Sequence, residues 1–172
     1  NNNVQLTWNR YADFTDGTEI AAGNYTLKAT YGNIETQGFE APYYEGAKEF
    51  SIKKNESTNI SVICYLANVK VTTEYTELFK KYFTDYTVNI RPAGSTDISF
   101  DKNETRAAYV KPGKISIYLS GSKQQGNKVT FEAATIENAK ARQHYRLKFD
   151  VQAGGTELDV SFTDETERVP IT

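Results

Sequence analysis

An alternating two-strand pattern occurs twice in this chain, and it constrains the fold more than any other feature. In the first copy, apolar and polar residues alternate from Phe50 to Cys64 on both sides of a turn at Asn55–Ser57. In the second copy, they alternate from Leu147 to Phe162 around a turn at Ala153–Gly155. A two-residue period is typical of β-strands with one buried face. The pattern therefore predicts two related β-modules in tandem.

The boundary between the predicted modules lies at Leu66–Asn68, which joins a strand that ends at Tyr65 directly to a new alternating run. The N-terminal module then spans residues 1–67 and the C-terminal module spans 68–172. The second copy also contains a strand at Asp85–Arg91, whose counterpart in the first copy would precede Asn1. We therefore expect the first module to lack its first strand. Upstream residues or strand exchange with a neighbouring molecule would fill the open edge.

One short helix is predicted in the second module. Thr76 can cap its N-terminus, and its apolar face contains Leu78, Phe79, Tyr82 and Phe83. Strands of the first module are predicted at Val4–Trp8, Tyr25–Thr30, Ile34–Phe39, Glu49–Lys53 and Asn59–Tyr65. The predicted first core is Tyr25, Leu27, Ile52, Ile60 and Val62. The predicted second core is Val71, Phe79, Phe83, Val88, Ile117, Phe149 and Val160.

Composition excludes some partners. The formal net charge is −2, and the Lys and Arg residues are scattered rather than clustered, so nucleic acid is not an expected partner. No apolar stretch approaches the roughly 20 residues of a transmembrane helix. A membrane-spanning helix in this chain is therefore not expected.

Residues suited to catalysis are few. Cys64 is the only cysteine and has an inward register, which favours a small buried residue over a nucleophile. His144 is the only histidine, and a solvent-facing strand position is favoured over a general base. Because these two residues are single and far apart in sequence, no metal motif is present. We predict a protein without enzymatic activity, cofactor or metal.

Aromatic residues are the candidates for ligand binding. Tyr43 and Tyr44 are adjacent, so in an extended segment both rings cannot face inward. Exposed aromatic rings stack on sugar rings or anchor protein interfaces. Together with Trp8 and Tyr109, these tyrosines form the predicted ligand-binding set. An alternative for Tyr43 and Tyr44 is a corner packed between the modules.

Several segments of this chain resemble a known family, the domain of unknown function 4493 of secreted or surface lipoproteins from Bacteroides and relatives. The segments that carry the resemblance are Gly23–Ala29, Phe39–Gly46, Phe50–Ile52, Val62–Val71, Glu77–Tyr86 and Asp101–Tyr109. They cover nearly the whole chain and contain structural rather than catalytic motifs. The resemblance implies an all-β fold of immunoglobulin-like or transthyretin-like sandwich modules. It also implies an exported protein that is lipid-anchored at the outer membrane or cell surface. Contact with the membrane would then occur only through a lipid anchor upstream of this chain.

Two functions stay open at this stage. The first is a non-enzymatic surface module for adhesion or for assembly of a surface structure, with a surface protein or glycan as partner. The alternative is a carbohydrate-binding module of a glycan-utilisation system, which the four aromatic residues favour. By architecture alone, tandem β-modules on such bacteria are similar to fimbrial anchors and glycan-binding lipoproteins.

Overall fold

The computed structural model describes residues 6–14, 18–151, 158–161, 165–166 and 168–171, with side chains described up to Val151. The described chain is all-β, with one short α-helix and a single 3-10 turn at Tyr11–Asp13. The first six strands and the helix are β1 (Gly23–Tyr31), β2 (Gly38–Phe39), β3 (Tyr44–Ile52), β4 (Val62–Leu66), β5 (Val69–Tyr75), α1 (Glu77–Tyr82) and β6 (Phe83–Pro92). The remaining strands are β7 (Ile98–Asp101), β8 (Ala108–Val110), β9 (Gly113–Lys123), β10 (Lys128–Ala139), β11 (Gln143–Val151), β12 (Leu158–Ser161), β13 (Glu165–Thr166) and β14 (Arg168–Ile171).

The described strands form three sheets. Sheet A has the order β1-β3-β4-β14 and is antiparallel. Sheet B has the order β12-β11-β5-β8-β2, with β13 also paired to β11, and its β5–β11 pair is parallel. Sheet C has the order β10-β9-β6-β7 and is antiparallel. The predicted all-β, sandwich-like fold is confirmed.

Sheets B and C share one hydrophobic core, which is filled by alternate residues of their strands. Phe100 on sheet C meets Phe39 on sheet B edge to face, with ring centroids 5.0 Å apart. Of the predicted second core, Val71, Phe79, Phe83, Val88, Ile117 and Phe149 are buried, as predicted. The side chain of the seventh residue, Val160, lies outside the described residues. A period of two is sufficient to place these residues inward because each strand is covered on one face.

Helix α1 closes one end of this core. Thr76 caps it, because its Oγ1 accepts a hydrogen bond from Phe79 N at 3.2 Å and donates one to Asp150 Oδ1 at 2.5 Å. Phe79 is fully buried and stacks on Tyr75, whereas Leu78 is 48% exposed. The prediction that Leu78 lies on the buried face of the helix is therefore wrong.

The inner face of sheet A is less well covered than the core of sheets B and C. Its centre on β4 is buried, including Val62 and the fully enclosed Cys64. The other members of the predicted first core are only half-buried: Tyr25, Leu27, Ile52 and Ile60. The prediction therefore placed these residues on the correct face but overestimated their burial.

Four predicted strands of the first module are wrong in extent. The strand predicted at Glu49–Lys53 is the longer β3, which begins at Tyr44. Residues 6–8 of the predicted strand Val4–Trp8 are not in a strand, and its first two residues lie outside the described ranges. The predicted strand Ile34–Phe39 is reduced to β2, because Asn33 Oδ1 accepts a hydrogen bond from Glu35 N and turns the chain. The strand predicted from Asn59 begins only at Val62. The ladder between this strand, β4, and β3 is limited to two residue pairs, which involve Tyr44 and Glu45 of β3.

The two copies of the alternating pattern pair their own strands in the same way. Strand β3 pairs with β4, and β11 pairs with β12, in both cases antiparallel. The upstream strands differ, because β1 pairs with β3 in sheet A, whereas β9 and β11 belong to different sheets. The similarity between the copies is therefore limited to the paired strands and does not extend to the strands before them. The division at residues 67 and 68 stays a prediction.

Strands from each half of the chain complete sheets of the other half. Strand β2 joins sheet B through antiparallel pairing of Gly38 with Tyr109 and Phe39 with Ala108. Strand β14 joins sheet A through antiparallel pairing with β4. The two predicted modules are therefore interlaced through backbone hydrogen bonds.

A buried asparagine fixes the short connection between sheets A and B. Asn68, between β4 and β5, is 1% exposed. Its side-chain Nδ2 donates to Ala41 O at 3.1 Å, and its Oδ1 accepts from Tyr43 N at 3.2 Å. Its backbone oxygen accepts from Arg142 N at 3.2 Å. One residue thus joins the β4–β5 connection, the segment before β3 and the β10–β11 turn.

Replacement of this asparagine tests its importance. We expect Asn68→Ala to lower the free energy of unfolding by about 2–4 kcal/mol, because Ala41 O and Tyr43 N both lose their partner. Urea unfolding followed by circular dichroism measures the change. Asn103→Ala, at an exposed turn position, is the matched control and should change stability by less than about 0.5 kcal/mol. Equal effects of the two substitutions would contradict this role of Asn68.

Candidate functional site

An open aromatic cleft lies where the end of sheet A meets the β2–β8 edge of sheet B. One cavity of about 300 Å³ is lined by Tyr31, Glu40, Pro42, Arg106, Ala107 and Tyr109. An adjoining cavity of about 440 Å³ shares three of these residues and is also lined by Gly32, Asn33, Thr36 and Ala41. We call the two together the Tyr31 cleft. It is open to solvent and is lined by both aromatic and polar groups.

Tyr31 is the most exposed aromatic residue of the cleft. It ends β1 and is 65% exposed, with its ring centroid 6.3 Å from that of Tyr44 on β3. The next residue, Gly32, has a φ of +81°, and a Cβ atom there would lie 2.3 Å from Pro42 O. Only glycine tolerates this approach without a backbone shift. The close passage of the chain at Gly32 therefore brings Tyr31 near Pro42, and both residues line the cleft.

Glu40 lies at the edge of the cleft in a strained backbone conformation. Its φ of +54° is in the left-handed region, which residues other than glycine rarely adopt. Glu40 N donates to Ala107 O at 3.2 Å, so this conformation directly follows the β2–β8 ladder. Such strain is often retained at functional sites. Here it directs the chain from sheet B towards Pro42 and sheet A.

Arg106 is held in place on several sides. Its guanidinium group makes two hydrogen bonds to the Glu104 carboxylate, from Nε at 3.0 Å and from Nη2 at 2.7 Å. The same group lies over the Phe39 ring, with Cζ 4.8 Å from the centroid. Its third nitrogen, Nη1, is 3.5 Å from Glu40 Oε2. Arg106 is therefore oriented before any ligand binds, with Nη1 beside the Glu40 carboxylate.

The ion pair also changes the acidity of its members. Hydrogen bonds from the Arg106 side chain and backbone lower the pKa of Glu104 to about 2. The same side-chain pairing raises the pKa of Arg106. Both groups stay charged over the physiological range, so the cleft holds a permanent arrangement of charges.

The predicted ligand-binding residues are not gathered in one place. Tyr109 lines the cleft, and Tyr44 adjoins it through Tyr31. Tyr43 donates a hydrogen bond from its hydroxyl to Glu45 Oε2 at 3.1 Å, and its backbone contacts Asn68. Burial, with Glu45 nearby, raises the pKa of Tyr43. The ring of Trp8 packs edge to face against Phe14 at 5.1 Å and is not among the residues that line the cleft.

Among the cleft residues that were not predicted from the sequence, Tyr31 carries the most exposed ring and Glu40 and Arg106 carry the charges. One signal was available for Tyr31, because an aromatic residue followed by Gly-Asn marks the end of a strand at a turn. No comparable signal marks Glu40. Its place in the cleft depends on the pairing of β2 with β8, which are distant in sequence.

The residues considered for catalysis have structural contacts. Cys64 is fully buried, its Sγ donates to Ala29 O at 3.6 Å, and burial raises the pKa of its thiol. His144 Nε2 lies 2.9 Å from Thr72 Oγ1 on the neighbouring strand, and the residue is half-buried rather than solvent-facing. Within the described ranges, no three His, Cys, Asp or Glu residues are grouped as a metal site. No helix in the same ranges has the length and apolarity to cross a bilayer.

Comparison with known proteins gave one match. A family model described as "Domain of unknown function (DUF4493)" matches residues 1–172. No curated protein and no solved structure matches the chain.

The Arg106–Glu104 pair predicts a pH dependence. The pKa of Glu104 lies near 4.5 when unperturbed and at about 2 in the folded protein. Its stabilising effect is therefore complete above about pH 4.5 and is lost as the pH falls towards 2. We expect Glu104→Gln to lower the melting temperature at pH 7 and to have progressively less effect below pH 4.5. Differential scanning calorimetry from pH 2 to 7 measures this.

The control for loss of one negative charge is Glu49→Gln, at an exposed position of β3. A melting-temperature difference for Glu104→Gln that does not change with pH would contradict the ion-pair interpretation.

Proposed function

The chain belongs to the DUF4493 family, and we propose that it is a non-enzymatic binding module that adheres to glycans through the Tyr31 cleft. In this proposal the module is part of an exported, lipid-anchored protein of the bacterial cell surface. The surface location is supported by the resemblance of its motifs to secreted Bacteroides lipoproteins. The ligand class is supported by the cleft.

The exposure of Tyr31 is the single observation that carries the glycan proposal. An aromatic side chain that is 65% exposed at the mouth of a cleft offers a flat apolar surface to a ligand. The C–H faces of a sugar ring match such a surface, and the ring hydroxyls stay available for hydrogen bonds. Tyr109 and Pro42 add further ring surface to the same cleft.

The polar groups of the cleft supply the second requirement of sugar recognition. Glu40 presents carboxylate acceptors, and Arg106 presents an N–H donor beside them. Hydrogen bonds between charged groups and hydroxyls are stronger than neutral ones. The close pairing of Arg106 with Glu104 fixes the donor in advance, which lowers the entropy lost on binding. This arrangement favours binding over catalysis because the charged groups are already engaged with one another.

Tyr31→Ala tests the proposal directly. A glycan array first identifies a ligand of the wild-type protein, and isothermal titration calorimetry then measures its affinity for the variant. We expect a loss of about tenfold or more, because the main stacking surface is removed. Tyr11→Ala is the matched control, since Tyr11 is 75% exposed and is not among the cleft residues. Absence of glycan binding by the wild-type protein, or equal losses in the two variants, would contradict the proposal.

Assembly of a surface structure is a second candidate function, and the edge of sheet A favours it. All nine residues of β1 pair with β3 on one side, and no described strand pairs with the other side. Long edges of this kind accept a strand from another molecule, and native proteins commonly protect them. In this function, a neighbouring subunit would add a strand beside β1.

Hydrogen–deuterium exchange at increasing protein concentration tests this second function. We expect the β1 amides that do not bond to β3 to exchange at least about tenfold more slowly once a neighbour has added its strand, because they become hydrogen-bonded. Strand β9, which is paired on both sides, is the internal control. A protein that stays monomeric, with unchanged exchange in β1, would exclude self-assembly through this edge.

A further inference from the structure

The charges of the Tyr31 cleft indicate which glycans it can hold. We infer that the cleft binds uncharged pyranose sugars and discriminates against acidic ones such as uronic acids. This inference rests on the proposed glycan-binding role and adds the class of ligand to it.

Carboxylates outnumber cations in the charged group that borders the cleft. The guanidinium group of Arg106 contacts two carboxylates, Glu104 at 2.7 Å and Glu40 at 3.5 Å. Outside the lining, Lys111 Nζ pairs with Glu35 Oε2 at 2.5 Å, so its charge is also compensated. The other described residues that line the two cavities carry no charge. The local field therefore favours neutral or cationic groups over anions.

Arg106 is badly placed to bind a sugar carboxylate. A carboxylate ligand prefers the two parallel N–H groups of a guanidinium edge, and Glu104 already occupies the Nε–Nη2 edge. The other edge, formed by Nη1 and the second N–H of Nη2, lies beside the Glu40 carboxylate, which would repel an incoming anion. Repulsion of the wrong ligand is a common source of specificity. In this cleft, the repulsion of an anionic ligand comes from Glu40, whose side chain is 72% exposed.

A sugar with neighbouring free hydroxyls fits the same two groups. One hydroxyl can accept a hydrogen bond from Arg106 Nη1 while the neighbouring hydroxyl donates one to Glu40 Oε2. The protein's adjacent donor and acceptor are then both satisfied by adjacent hydroxyls of the sugar. Neither contact requires Glu104 to release Arg106. The ring of the sugar then lies towards Tyr31 and Tyr109, the aromatic residues of the cavity that Glu40 and Arg106 also line.

One cation could support the opposite preference. Lys70 on β5 stands opposite Tyr109 in the sheet B ladder. It is half-buried and has contacts of its own. If acidic sugars were the ligands, Lys70 would be the cation to hold their carboxylate, because it is paired in register with the cleft residue Tyr109. The experiment therefore has to separate the effects of Glu40 and Lys70.

Binding of matched oligosaccharides tests the inference. Oligogalacturonides and the same oligomers after methyl esterification differ in charge but share their ring hydroxyls, and a panel of other uncharged oligosaccharides is measured beside them. With the wild-type protein we expect the uncharged ligands to bind at least about tenfold more tightly at low salt. The preference should shrink as salt is raised, because screening weakens the repulsion from Glu40.

Glu40→Gln keeps the size of the side chain and removes its charge. We expect this variant to bind uncharged sugars about tenfold more weakly, because a charge-assisted hydrogen bond is lost. It should bind acidic sugars better than the wild-type protein does. Glu49→Gln removes a charge outside the cleft lining and should leave the preference unchanged. A role of Glu40 in folding alone would weaken both classes equally.

The possible outcomes separate this inference from the proposed function. The charge preference would be overturned, and glycan binding left intact, if acidic sugars bound as tightly as their esters. The same conclusion would follow if acidic sugars bound more tightly than their esters and Lys70→Met lowered that affinity. Failure of all the oligosaccharides to bind would overturn both. A preference for the esters that Glu40→Gln does not reduce would overturn the assignment of specificity to Glu40.

Discussion

The buried amide of Asn68 is the interaction on which the relation between sheets A and B depends. A backbone that passes from one sheet to another exposes N–H and C=O groups that no strand partner satisfies, and their burial is costly without hydrogen bonds. Asn68 satisfies one group of each kind, at Ala41 and Tyr43. A side chain with both a donor and an acceptor is required for this, and the amide of asparagine is short enough to provide it in a two-residue connection. The segment from Glu40 to Tyr44 takes its direction from this contact.

The Tyr31 cleft is a consequence of that junction. Its residues come from the end of β1, the Glu40–Pro42 segment and the approach to β8, and none of these elements forms a cavity alone. Close backbone approach at Gly32, the left-handed Glu40 and the ion pair of Arg106 with Glu104 each fix one side of the cleft. The residues of the cleft are therefore held by contacts with elements of two sheets.

The sequence was informative where structure depends on local pattern. A two-residue period predicted the buried faces of β6, β9 and β11, and the capping residue Thr76 predicted α1, because these features need only neighbours in the chain. The extent of β2 was missed because the Asn33 turn overrides the apolar residues around it. Glu40 and Arg106 were missed because their meeting depends on pairing between strands that are distant in sequence. Of the predicted ligand-binding residues, Tyr109 lines the Tyr31 cleft and Trp8 belongs to a different aromatic contact, and a binding role for either stays a prediction.

The pairing of β14 with β4 has a consequence for how the protein is made. A chain is synthesised from its N-terminus, so its N-terminal parts are available to fold first. Sheet A nevertheless receives β14 only when residues 168–171 have emerged, although the rest of that sheet lies before residue 67. During synthesis, the side of β4 that pairs with β14 therefore stays open until residues 168–171 have emerged. Folding of the N-terminal half is completed last, and contacts of such long sequence separation make its closure slow.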